Sequence, residues 1–150
     1  MVFKLGAVDE RARALTMAAE GLTTIRSHNG PKDTMDRLEA DVKAKGMSVF
    51  ARVDHAAGAK AVGLALRPTE LLIFGNAKGG TPLMQAVQTI GIDLPLRALV
   101  WLDASGDTWL SYSDPAWLAK RHGLGGDLRP AVDALTAALA AAARTACAAP

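Results

Sequence analysis

Leu71-Leu72-Ile73-Phe74-Gly75-Asn76-Ala77-Lys78-Gly79-Gly80-Thr81-Pro82-Leu83-Met84 passes from an apolar run, through a glycine-rich turn, into a helix-forming pattern. Glu70 to Phe74 has the length and composition of a buried strand. Thr81 is a capping residue, and Pro82 suits a first helical position, where a missing N–H removes no hydrogen bond. Leu83, Met84, Val87 and Ile90 then share one face, and Gly91 closes the helix. A strand that hands over to a helix in this way belongs to a layered domain of both element types. The flanking segments decide which kind.

Upstream, Leu22 to Ser27 is rich in β-branched residues and ends at the turn His28-Asn29-Gly30-Pro31, so it reads as a first strand. Pro31 to Lys45 predicts a helix: proline at its start, Asp33 and Asp36 early, Lys43 and Lys45 late, and a stripe of Met35, Leu38 and Val42. After Gly46, Met47 to Val53 alternates, with Val49, Ala51 and Val53 expected on one face. Asp54 is placed to cap a short helix that Gly63 ends. Downstream, Leu96–Leu102 and Thr108–Tyr112 predict a hairpin through Gly106-Asp107. Asp114-Pro115 opens a short helix to Arg121. A last helix, from about Pro130 to Ala143, turns Val132, Leu135 and Leu139 inward, and its alanines allow close packing on a sheet or on another subunit. Asp9 to Glu20 is helix-prone, with Gly21 as its stop. The expected fold is α+β, with two layers, a mixed sheet of about five strands and helices mainly on one face; a wound α/β sheet is the alternative. The chain reads as a single domain, with residues 1–21 an extension, 22–124 the core and 125–150 an alanine-rich helix.

The 150 residues are 50% hydrophobic, enough for one real core. Seventeen basic against 15 acidic residues give a net charge of +2, too small and too evenly spread to favour nucleic acid. The sole cysteine, Cys147, can form no intrachain disulfide and suits a reducing compartment. No signal-peptide pattern opens the chain, and the longest apolar stretch, Ala137 to Ala143, is far short of the roughly 20 residues of a membrane span. A soluble, cytoplasmic protein with no membrane partner is expected.

Phe74-Gly75-Asn76 followed by Lys78-Gly79-Gly80-Thr81-Pro82-Leu83-Met84 resembles domain-of-unknown-function family 302. Three further segments agree in order: Phe50-Ala51-Arg52-Val53-Asp54-His55-Ala56-Ala57, Asp93-Leu94-Pro95-Leu96-Arg97-Ala98-Leu99-Val100-Trp101, and Tyr112-Ser113-Asp114-Pro115 with Leu118 and Arg121-His122-Gly123. Together they cover residues 22 to 124. The resemblance implies a compact α+β domain, often dimeric, with no assigned activity. Ala77 stands where the family's turn carries proline, which leaves the loop less rigid.

The turn Gly75–Thr81 differs from a nucleotide-binding P-loop, because its lysine precedes the second glycine instead of the Ser/Thr. What it keeps is a helix start with unpaired N–H groups, glycines that admit a ligand to the backbone, and the charge of Lys78. The plainer reading is a tight turn through Gly75, Gly79 and Gly80, capped by Asn76. His28, His55 and Asn76 each follow a strand and would emerge at one edge if those strands ran parallel. His55, beside Asp54, is then a candidate general acid/base; equally, Asp54 caps a helix that His55 packs against. Tyr112, Asp114 and Arg121 form a secondary candidate for an anionic ligand, against the plainer roles of cap for Asp114 and helix-dipole partner for Arg121. A zinc site from His28, His55 and His122 has no paired spacing to support it, and no metal or cofactor is expected. No nucleophile, base and orienting group stand together in the sequence, and Cys147 lacks a nearby histidine. The expected function is a small homodimeric module that binds an anionic or polar ligand through Gly75, Asn76, Lys78, Gly79, Gly80, Thr81 and His55. The alternatives are an enzyme using His55 over the same turn, and a scaffold with no ligand.

Overall fold

The computed structural model describes residues 19–150. The helix expected over Asp9–Glu20 lies outside them except for its last two residues, which are not helical. Five strands, β1 (Leu22–Ser27), β2 (Ser48–Asp54), β3 (Thr69–Gly75), β4 (Leu96–Leu102) and β5 (Thr108–Ser113), form one sheet in the order β1-β5-β4-β3-β2. The helices are α1 (Pro31–Ala44), α2 (His55–Ala61), α3 (Ala77–Ala86), α4 (Pro115–Arg121) and α5 (Arg129–Cys147), with 3-10 turns at Gln88–Asp93 and Gly126–Leu128. The fold is α+β. Where a mixed sheet was expected, every neighbouring pair is antiparallel. The connection through α1 carries the chain from β1 to the far edge of the sheet, so β1 and β2 run the same way without pairing. β3 and β4 then fill inward, and β5 closes beside β1.

One face of the sheet carries Ile25, Leu72, Phe74, Leu96, Ala98, Val100, Leu110 and Tyr112 into a core shared with α1 and α5. Met35, Leu38 and Val42 fill it from α1, as their spacing predicts, and all three are at most 1% exposed. From α5 come Leu139, Ala142, Ala143, Ala146 and Cys147. Alanine at these positions lets the helix approach closely, and the surface it covers is the molecule's own. The alanine-rich face is therefore used inside one chain, which removes it as the ground for expecting a dimer.

The strand β2 departs from simple alternation. Val49 pairs with Phe74 and Ala51 with Ile73, which leaves Phe50 as an extra, unpaired residue. This bulge keeps Val49 against the core but moves Ala51 and Val53 to the other face, so the three do not share a side as expected. It also turns Arg52 toward α1. There its guanidinium donates to Glu70 (2.8 Å), Asp36 (2.8 Å) and Glu39 (2.9 Å). Three carboxylates around one guanidinium hold its proton more tightly than usual, with the Glu70 hydrogen bond the largest contribution. Asp36 lies below the ordinary carboxylate range through Lys32 and then Arg52, and Glu39 through Arg52 and then Lys43.

The opposite face carries Leu71, Ile73, Leu99, Trp101 and Trp109, all half-buried. The two indoles stack with centroids 6.2 Å apart. Their N–H groups donate to Ser111 (2.9 Å) and Asp103 (2.8 Å) respectively. With Leu22, Arg97 and Tyr112 they border a broad hollow of about 650 Å³.

Candidate functional site

At the end of β3 the helix begins earlier than the Thr81-Pro82 signal suggests. α3 starts at Ala77, with Asn76 as its N-cap: Asn76 Oδ1 accepts from the Gly79 N–H at 2.7 Å. Pro82 therefore lies inside the helix, where its missing N–H leaves the Lys78 carbonyl without its usual partner, and the helix is short. Gly79 is explained by packing. A Cβ there would sit 3.3 Å from Leu135 of α5 and 3.2 Å from the capping oxygen of Asn76. The amides of Gly79 and Gly80 are bonded to Asn76, its side chain and its carbonyl respectively. Those of Ala77 and Lys78 have no acceptor within the helix.

This turn lines a groove of about 570 Å³. Its floor and rim come from Gly75, Asn76, Lys78, Gly79, Gly80 and Thr81, so six of the expected binding residues do line one space. The walls were not foreseen. Leu94, Pro95 and Leu96 enter from the start of β4, Ala131, Ala134, Leu135 and Ala138 from α5, and the bulged Phe50 from β2. The spacing of the α5 residues, one small residue every three or four positions, was the available signal. Lys78 is exposed at the rim, and no lining residue is acidic.

His55 is not part of this groove. The pairs Ser48↔Gly75 and Asp54↔Glu70 put the end of β2 at the opposite edge of the sheet from the end of β3. The parallel arrangement that would have joined His55 to Asn76 does not exist. Asp54 accepts from the Ala57 N–H at 2.9 Å and caps α2, while His55 is exposed. Beside this edge lies a cavity of about 960 Å³ bordered by Arg52, Asp54, Lys60, Arg67 and Glu70, without His55. His28 leaves β1 at this same edge, but β1 and β2 are four strand spacings apart, about 19 Å. The three histidines do not converge, and among the described residues no group of three histidine, cysteine or acidic side chains could hold a metal ion.

The secondary candidates also separate. Tyr112 is 6% exposed within the main core, and burial pushes its hydroxyl pKa up. Asp114 stands at the N-cap position of α4 without capping it; its carboxylate accepts instead from the Thr23 hydroxyl. Arg121 is engaged with Asp93, its Nη1 3.0 Å from both carboxylate oxygens, and lies 5.9 Å from the centroid of the Trp117 ring. His122 Nε2 is 2.5 Å from the same carboxylate, and its Nδ1 is 3.2 Å from the Thr89 hydroxyl. A hydroxyl, an imidazole and a nearly buried carboxylate thus stand in line, an arrangement that no sequence spacing announced. Arg121 draws on both oxygens of that carboxylate, and none of the three cavities is lined by Thr89, His122 or Asp93. The cluster ties the 3-10 turn before β4 to the end of α4. The thiol of Cys147 is buried, its pKa raised by burial, and it is correspondingly unreactive.

Residues 23–142 match the family described as domain of unknown function DUF302. The chain belongs to the DUF302 family. The match takes in most of α5, beyond the expected family core of residues 22–124. A crystal structure of an uncharacterised conserved DUF302 protein from Bacillus stearothermophilus superposes with a TM-score of 0.76 at 21% identity, covering 87% of this chain and all of that one. It shares the fold. Two curated relatives are each 58% identical over 105 residues, 70% of this DUF302 chain: "Fluoride-specific ion channel FluC 1" of Brucella suis biovar 1 (strain 1330) and the protein of the same name from Brucella abortus biovar 1 (strain 9-941). The chain spans about two-fifths of their length, 41% and 39%. Among its described residues, no helix is long and apolar enough to cross a membrane.

Proposed function

We propose that this DUF302 chain is a small-ligand-binding module whose site is the groove at the start of α3. The observation that supports this most is that the strand-to-helix turn, its cation and its open helix amides line one concavity of about 570 Å³, within the size range of small-molecule sites. An enzyme built on His55 is disfavoured, since that ring lies at the other edge of the sheet. In the Brucella relatives the same segment would serve as an attached binding module, with the conduction path in the three-fifths that this chain does not match. The absence of a membrane-crossing helix among the described residues favours that division. Fluoride itself is a poor occupant, because a small, strongly hydrated anion loses more hydration in an apolar groove than one lysine returns. The reducing compartment that suits the buried Cys147 thiol is consistent with a cytoplasmic module.

The test is a thermal-shift panel of small carboxylates, phosphates, neutral polar molecules and sodium fluoride at millimolar concentration. Ala134→Phe fills the groove from an exposed position on α5. At least one panel member is expected to raise the melting temperature of the native chain and to have no effect on Ala134→Phe. A panel without a single shift, or shifts that survive the substitution, overturns the assignment of the site.

Self-association is part of the same proposal, with its surface moved from α5 to the outer sheet face. That face combines Leu71, Ile73, Leu99, Trp101 and Trp109 with two cations, Arg97 and Arg26, the second paired with Asp107, and with the acid Asp103. Apolar and nearly neutral, it suits a second copy of itself better than a strongly charged partner.

A further inference from the structure

The groove at the start of α3 is lined mostly by apolar side chains, and this restricts what it can hold. Leu94, Pro95 and Leu96 form one wall, Ala131, Ala134, Leu135 and Ala138 the other, and Met47 and Met84 also line it. Phe50 stands at the lining through the β2 bulge and is 61% exposed, a large ring left in water unless something covers it. Polar chemistry is confined to the turn. There, Asn76 Oδ1 is already committed to the Gly79 amide, which leaves the Lys78 ammonium, the Thr81 hydroxyl and the first two amides of α3. Lys78 forms no ion pair with any carboxylate among the described residues. One cation in an otherwise mostly apolar lining, with no acid anywhere in it, complements a molecule with one anionic end and an apolar body.

We infer that the groove takes a medium-chain carboxylic acid, its carboxylate at Lys78 and its alkyl chain between Leu94–Leu96 and the small-residue face of α5. This rests on the groove being the ligand site and narrows the ligand from any small anion to an amphipathic one. A bare polar anion would satisfy Lys78 and leave the walls wet; an alkane would fill the walls and leave the cation unused. The alanines at 131, 134 and 138 set the width of the trough, and the methionines give it side chains that adapt to a flexible chain.

Isothermal titration of the full chain with hexanoate, octanoate and decanoate, below their micelle concentrations, tests the class. Octanol and inorganic phosphate serve as the neutral and polar controls. The dissociation constant is expected to fall by about threefold to fourfold per added methylene. Octanoate should bind at least tenfold more tightly than octanol, an advantage lost in Lys78→Ala and kept in Lys78→Arg. Ala134→Phe should abolish binding of all chain lengths with the melting curve of the free protein unchanged. Phosphate binding through Lys78 with no chain-length dependence overturns the amphipathic class and leaves the site assignment standing. Octanol binding as tightly as octanoate removes the role of Lys78 and overturns the inference. No heat with any carboxylate, together with an empty thermal-shift panel, overturns both the class and the site.

Discussion

At the scale of single residues, Arg52 and Gly21 show how little of a side chain's role is carried by its own letter. Arg52 sits in an alternating strand, on the side away from the expected face of Val49, Ala51 and Val53, yet the bulge at Phe50 turns it onto Asp36, Glu39 and Glu70. Asp36 and Glu39 have pKa values in the folded state below those of the unfolded chain. Their contribution to stability is therefore complete above the ordinary carboxylate range, near pH 4, and is lost as pH falls through the lowered folded values. The melting temperature is expected to drop as pH is lowered from 5 to 3, and to drop less steeply in Arg52→Met, where Glu39 loses its chief partner. Scanning calorimetry across that range checks this, and equal slopes for the two proteins would contradict it. At neutral pH the substitution is expected to cost only about 1 kcal/mol, since the cluster is partly exposed. Gly21 reads as a helix stop. In the structure its φ is +74°, and a Cβ there would lie 2.3 Å from the Trp117 ring, so close packing as well as backbone sign requires glycine.

At the scale of elements, α1 and α3 mark the limits of what the sequence shows. The start, stripe and end of α1 agree with one another and were legible, because proline, charge placement and apolar spacing all act locally. The start of α3 was misplaced by five residues. Asn-Ala-Lys-Gly-Gly has poor intrinsic helix propensity, each glycine costing about 1 kcal/mol relative to alanine. Helix forms there because Gly79 and Gly80 lie against Leu135 and Leu94, from segments distant in sequence or across the groove. The Asn76 cap then matters more than in a helix with better formers. Asn76→Ala is expected to destabilise the protein by about 1 kcal/mol, or roughly 3 °C in melting temperature, with amide exchange accelerated at 79–81. Unchanged exchange there would show that the cap does not hold the turn. The bulge in β2 was invisible for a similar reason: alternation presumes a period of two, and an inserted residue is recognised only by its partner strand.

At the scale of the whole molecule, strand order decided what sequence order could not. The strands themselves were found to within about a residue, but reading His55 and Asn76 as neighbours assumed a direction that the order β1-β5-β4-β3-β2 reverses. That the turn's residues line one space was legible; the walls of that groove were not, since α5 lies some fifty residues downstream and reaches the groove only through the packing of two layers. The same arrangement leaves the outer sheet face as the surface proposed for a second copy. Analytical ultracentrifugation at micromolar concentration is expected to show a dimer that Leu99→Arg converts to monomer, and a native chain already monomeric contradicts that part of the account. The claim that the groove at the start of α3 is the ligand site is tested most directly by nuclear magnetic resonance, following backbone amides during a titration with octanoate. The account predicts shifts confined to residues 75–84, 94–96 and 131–138, all saturating with one constant. Shifts centred instead on 54–57 and 64–70, at the opposite edge of the sheet, or on the outer strand face around Trp101 and Trp109, would contradict it.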